Sequence, residues 1–200
     1  MIIGITGGTG CGKTTLLNLI AEQGGVILDC DAIYHRLLAT DPALLAAIEA
    51  RFPGTVENGV LQRKKLGARV FSDPEALLEL NAITHSAVKR ELLRQLNPRP
   101  ALAAIDAIGL HDGGLAELCD VTVAVSAPEE ERVRRLMLRD GISEEYARSR
   151  IAAQHDSDWF SSRCDSELHN DGDTAVFRAK CLDFLKGLGI ISPEALSNPT

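Results

Sequence analysis

Two hundred residues, 45% of them hydrophobic and 24% charged, are the proportions of one folded domain with a sizeable core, which excludes a disordered or fibrous chain. A net charge of −7 argues against a general nucleic-acid or membrane-surface binder, because phosphate-rich partners need a basic face. No apolar run approaches the ~18 residues of a membrane span, and no charged region precedes an apolar stretch at the start, so neither an anchor nor a secretion signal is expected.

Residues 1–6 form a short apolar run, read as a buried strand, and a glycine-rich turn follows at once. Within that turn Gly7, Gly8, Thr9, Gly10, Cys11, Gly12, Lys13 and Thr14 satisfy GxxxxGK[ST] in full. Glycines let the backbone curl so that successive N–H groups point at phosphates, and the following helix adds the positive end of its dipole. Lys13 is expected to reach the β- and γ-phosphates of a nucleoside triphosphate, with the Thr14 hydroxyl as a magnesium ligand and Thr15 closing the binding segment. Residues 12–23 carry apolar side chains at helical spacing (Leu16, Leu17, Ile20, Ala21), and Gly24-Gly25 ends them. The five cysteines are odd in number, scattered and never spaced CxxC, which predicts reduced thiols rather than a disulfide framework or zinc site. Cys11 either fills a small-residue position or, lying near a helix N-terminus, is a favoured thiolate, and either way it is a candidate for oxidative inactivation.

Residues 26–28 read as a second buried strand, and Asp29 and Asp31 follow it. An acid there is either a helix cap or the group that accepts a proton from a phosphoryl acceptor. Residues 31–96 look wholly helical, with no strand between, and the Asp41-Pro42 and Asp73-Pro74 pairs supply a capping side chain and a first-turn proline. His35 and His85 are the histidines nearest the expected acceptor, each with a structural role as the alternative. Further strands are expected at 102–105, 121–125 and, weakly, 167–169. Strands apolar on both faces and alternating with helices predict a parallel sheet covered on each side. Residues 126–129 resemble a capping box that opens a second helical excursion over 128–162. There Arg132, Arg135 and Arg139 fall on one helix face, as either a solvated surface or a phosphate-closing lid. The tail from 192 to 200, with two prolines, reads as loose.

A phosphate loop does not choose a reaction. Asp106 to Gly109 matches the DxxG of a GTPase switch, but no NKxD occurs to read guanine, and an ATPase module would need a strong acidic pair after a strand. A kinase needs an acid near the acceptor hydroxyl and cations on the transferred group, and both are present.

Read together, the motifs resemble those of the bacterial dephospho-coenzyme A kinases. ITGGTGCGKT at 5–14 is similar to that family's TGGIGSGKS loop, and LDCDAIYHRLL at 28–38 to its IDADxIAHxLL segment. Leu61, Arg63, Leu66, the run RVFSDP at 69–74, LNAITH at 80–85, RLMLRD at 135–140, RIAAQ at 150–154 and NDG at 170–172 follow in the family's order. The resemblance implies an α/β P-loop NTPase fold, a three-layer αβα with a five-stranded parallel sheet, a helical acceptor-binding insertion and a helical lid. It implies a core of 1–30, 100–127 and 163–191, an acceptor subdomain at 31–96 and a lid at 128–162. The implied reaction is ATP-dependent, magnesium-assisted phosphorylation of the ribose 3′-hydroxyl of dephospho-CoA, by a cytoplasmic enzyme that is a monomer or weak homo-oligomer. By position, Asp31 resembles the catalytic base, Arg135 with Arg139 beside it the cations on the transferred phosphate, and Asn170 a residue near adenine. Asp29, His35, His85 and Asp112 are expected around the acceptor, and Asp106 or Asp112 on a magnesium-bound water. Two positions depart from the family: His85-Ser86 replaces His-Pro, and residues 108–112 replace PLLFE without its proline, aromatic residue or glutamate. The alternative is another P-loop nucleoside, nucleotide or small-molecule kinase.

Overall fold

A computed structural model describes residues 1–191, and the tail from 192 to 200 lies outside the described residues. The chain divides into two compact units. The first comprises Met1–Ile27, Pro100–Leu110 and the chain from Ala116 onward; the second comprises Leu28–Arg99 and His111–Leu115.

The first unit is built on a parallel sheet. Its strands are β1 (Ile2–Thr6), β2 (Val26–Asp29), β5 (Ala103–Asp106), β6 (Val121–Ser126) and β7 (Ser166–His169), in spatial order β2-β5-β1-β6-β7. The first half of β2 belongs to this unit and its second half opens the other. Every residue of the central strand β1 is buried, as expected of a strand covered on both faces. On one side of the sheet α1 (Lys13–Glu22) packs against α9 (Thr174–Gly187). Leu16, Leu19 and Ile20 meet Phe177, Cys181 and Leu185 over Ile3, Ile5, Val123 and Val125 in one continuous core. Gly4 in mid-β1 has no space for a side chain, since a Cβ would fall 2.7 Å from Cys119 Sγ and 2.9 Å from Leu110 Cδ2.

After β6 come α6 (Glu129–Asp140), α7 (Glu144–Ala152) and α8 (Ser157–Ser161). Val133 and Leu136 of α6 pack on Ala147 and Ile151 of α7 in a small core of their own. No capping box opens α6: its N-cap is Pro128 without a side-chain bond. The Ser126 hydroxyl is held elsewhere, bonded to Glu167 and lying 2.9 Å from His169 Nδ1.

In the second unit α5 (Pro74–Gln95) is the spine, and α2 (Cys30–Thr40), α3 (Pro42–Arg51) and α4 (Arg63–Val70) pack on it. Asp41 and Asp73 cap α3 and α5 through pairs of backbone N–H groups, with Pro42 and Pro74 in the first turns. The expectation of an all-helical segment needs one correction. Val56–Glu57 (β3) and Val60–Leu61 (β4) pair antiparallel, because Asn58 (φ 51°) and Gly59 (φ 75°) both take the left-handed backbone of a two-residue hairpin turn. Residues 111–115 join this unit, tied to α5 by Lys89 Nζ donating to Gly114 O at 2.9 Å.

Candidate active site

The phosphate-loop motif lies between β1 and α1, at the carboxyl end of the central strand. Gly7 has φ 130°, and a Cβ there would run into the Val125 carbonyl, so no other residue fits without moving β6. Lys13 Nζ folds back on Gly7 O at 2.9 Å. Gly12 is the N-cap of α1 and supplies no side chain, whereas Asp29, Asp41, Asp73, Ser143, Asp156 and Asp173 cap α2, α3, α5, α7, α8 and α9. The positive end of α1 is therefore left for an anion. Thr14 is exposed in that first turn, and Thr15 N bonds Gly12 O at 3.1 Å.

Side chains on α6 and after β7 take the outward carbonyls of the loop. Arg132 Nε donates to Thr9 O at 2.9 Å, and Arg135 Nη1 to Gly10 O and Cys11 O at 3.3 Å each. Asn170 Nδ2 donates to Cys11 O at 2.8 Å and its Oδ1 accepts from Arg135 Nη2 at 3.2 Å. In a planar trans peptide the carbonyl of one residue and the N–H of the next point opposite ways. Holding the carbonyls of 9, 10 and 11 outward therefore turns the N–H groups of Gly10, Cys11 and Gly12 to the other side, where phosphate oxygens would meet them. The Cys11 N–H also makes a 3.4 Å bond across the loop to Gly8 O.

Cys11 is 1% exposed and packs in the core under the loop. A small buried filler is what the structure supports; burial contradicts the reading of an accessible, oxidisable thiolate. Arg139 turns to Asp140, at 2.7 and 3.0 Å, rather than to the loop. Arg150 binds the same carboxylate, and the two guanidinium groups hold the Asp140 carboxyl down at about 2. Asp106 ends β5 in register with Ile5, beside the strand that feeds the loop.

The remaining expected site residues belong to the second unit. Asp29 is the N-cap of α2, its Oδ1 accepting from Ala32 N at 2.9 Å. Asp31, the alternative cap, is not one: it lies exposed in the first turn of α2, with His35 one turn further along the same face. His85 on α5 is half-buried near Asp112; burial lowers its pKa, and the Asp112 charge opposes that shift. The neutral imidazole is thus favoured at pH 7. Two residues touch the loop in a way that sequence reasoning did not foresee. Arg132 was one of three on a helix face, and Gln154 closes the RIAAQ motif, but nothing local ties it to Thr9, 145 residues away.

A parallel sheet with a phosphate loop after its central strand, an uncapped helix behind that loop and arginines over it defines a P-loop kinase. Solved shikimate kinases share this fold, that of Bacteroides thetaiotaomicron with a TM-score of 0.58 at 14% identity. A family model described as dephospho-CoA kinase matches residues 1–175, and the chain belongs to that family of ATP-dependent phosphotransferases. It is 39% identical over 178 residues to the dephospho-CoA kinase of Anaeromyxobacter dehalogenans, covering 86% of this chain and 84% of that protein. It is 34% identical over 192 residues to that of Brucella melitensis, covering 94% and 95%. The dephospho-CoA kinase structure from Campylobacter jejuni is similar to it at 25% identity with a TM-score of 0.65, over 94% of this chain and 96% of that one.

Proposed function

We propose that this chain transfers the γ-phosphate of ATP to the ribose 3′-hydroxyl of dephospho-CoA, completing coenzyme A. The observation that carries the reading is the loop whose carbonyls are held outward, in a chain of this family. ATP binds residues 7–15, and Lys13 leaves Gly7 O for the β- and γ-phosphates. Asp31, free of capping duty, accepts the proton of the hydroxyl as its oxygen attacks the γ-phosphorus; the bond to the β-phosphate oxygen breaks and ADP leaves. Arg135 exchanges its long bonds to loop carbonyls for the transferred phosphoryl group, and Arg139, one turn along, is the second cation once it leaves Asp140. Asn170 holds the loop beside the adenine site.

Among the described residues no group of three or more His, Cys, Asp or Glu could hold a metal ion. That fits magnesium, which is bound by one or two protein oxygens together with substrate phosphates and water. The exposed Thr14 hydroxyl and, through water, Asp106 are the oxygens we assign to it. Bound there, magnesium would neutralise charge on the β- and γ-phosphates.

The helical unit, with Asp29, His35, His85 and Asp112, is assigned to the acceptor, and α6–α8 to the lid. No helix among the described residues is long and apolar enough to cross a membrane. We assign the protein to the cytoplasm, as a monomer or weak homo-oligomer with no nucleic-acid partner. A coupled ADP-release assay tests the reading: turnover should depend on dephospho-CoA and stay at background with nucleosides or nucleotides. Preference for a nucleoside would instead support the other small-molecule kinases.

A further inference from the structure

We propose that Arg132 and Gln154 are positioning residues of the phosphate loop, which clamp both sides of Thr9 and thereby aim the Gly10 N–H at the bound phosphates. The inference rests on the loop reading above and assigns two residues to it. Thr9 O accepts from Arg132 Nε at 2.9 Å, and Thr9 N donates to Gln154 Oε1 at 2.8 Å. Arg132 Nη2 lies 3.5 Å from the same Gln154 oxygen, closing the ring of contacts. Both backbone polar groups of Thr9 are therefore bound to protein, and neither is left to meet a ligand. With Thr9 O fixed toward Arg132, the trans peptide points the Gly10 N–H the opposite way.

The clamp is rigid for three reasons. Arg132 is only 6% exposed. The guanidinium also lies close against Gly8, where any Cβ would collide with Nη2. Finally, the two residues arrive together: Arg132 is on α6, Gln154 bonds back to the end of α7 through its N–H to Ile151 O at 3.1 Å, and the α6–α7 core joins the helices. Arg135, one turn along α6, is more exposed, with 23% of its side chain accessible, and its loop bonds are long at 3.3 Å. The division of labour follows. Arg135 can leave the loop for a phosphate, whereas Arg132 acts only through the loop. Burial lowers the Arg132 pKa, yet a guanidinium keeps its proton at any working pH, so a fixed positive charge stays behind the loop.

The test is ATP affinity measured by calorimetry without acceptor, together with separate KM values for ATP and dephospho-CoA. Arg132→Met keeps the bulk of the side chain and removes its donors; Gln154→Leu removes the acceptor; Gln154→Glu restores an acceptor and adds an ion pair with Arg132. Loss of a charged hydrogen bond should weaken ATP about tenfold or more in Arg132→Met, and loss of a neutral one several-fold in Gln154→Leu. Gln154→Glu should recover near wild-type ATP affinity, and KM for dephospho-CoA should stay unchanged in all three. Gln154 is half-exposed, so its variants carry the test if Arg132→Met does not fold. Lys13→Ala serves as the control. If Arg132→Met and Gln154→Leu bind ATP like wild type while Lys13→Ala does not, the clamp is wrong and the loop reading stands. If Lys13→Ala also binds normally, the loop reading itself falls. Equal rises in both KM values with a matching fall in Tm would reduce the pair to ordinary packing and overturn the proposal.

Discussion

Asp29 and Asp31 are two residues apart and do different work because one φ/ψ change separates them. Asp29 keeps extended backbone and caps α2; Asp31 is already helical, and its carboxylate is exposed. Asp29→Ala should therefore cost roughly 1 kcal/mol of stability, as the loss of a cap does, read as a fall in Tm. Asp31→Asn should leave Tm and ATP affinity nearly unchanged while kcat drops by about 10²–10⁴-fold, the usual worth of a general base. A fully active Asp31→Asn enzyme would remove the base assignment. Gly4 is a third residue with a defined reason to be small. Gly4→Ala must displace Cys119 and Leu110 in a packed core and should lose about 1–3 kcal/mol in denaturant unfolding, the cost of overpacking. An unchanged midpoint would mean that the sheet gives way there more easily than its burial suggests.

At the scale of elements, α6 carries the contrast between Arg135 and Arg139. Spacing puts both on one face, yet only Arg135 reaches the loop, because Asp140 at the end of the helix takes the Arg139 fork. Arg135→Ala should lower kcat strongly with a smaller effect on ATP affinity, and Arg139→Ala should lower it less. Equal losses would show that Arg139, once off Asp140, contributes as much to the transferred group as Arg135 does. Much of this was legible in the sequence: the five strands of the parallel sheet, the loop, the Asp-Pro caps and the arginine face follow from local pattern. Local pattern also contained the Asn58-Gly59 hairpin, overridden by the helical character of the residues around it. The Ser126 hydroxyl was misread for a different reason. Its partners Glu167 and His169 lie on a neighbouring strand more than forty residues away, and they outcompete a helix start that looked right locally. Gln154 was beyond reach in the same way, since its role depends on where α7 ends relative to the loop.

For the molecule as a whole, the cysteines report on burial. No disulfide forms among the five. Burial pushes Cys119 up to about 12 and Cys181 up to about 11, and raises Cys164 as well. Native protein at pH 8 should consequently label slowly at all five thiols and fully once denatured. Rapid native labelling of Cys11 would contradict its place in the core. The same shifts predict alkaline sensitivity. Unfolded thiols ionise near 9.0, while the folded ones hold their protons to about 11 and 12, so stability should fall as pH rises through that interval. Cys181→Ala should flatten the decline.

The account turns on which oxygen receives the phosphate. The most direct measurement is ³¹P NMR of the product formed from ATP and dephospho-CoA, with proton coupling used to place the new phosphomonoester. The expected spectrum shows one new monoester coupled to the ribose H3′, appearing in step with ADP and absent from Lys13→Ala. A phosphate on any other oxygen, or ADP released with dephospho-CoA unchanged, would contradict it.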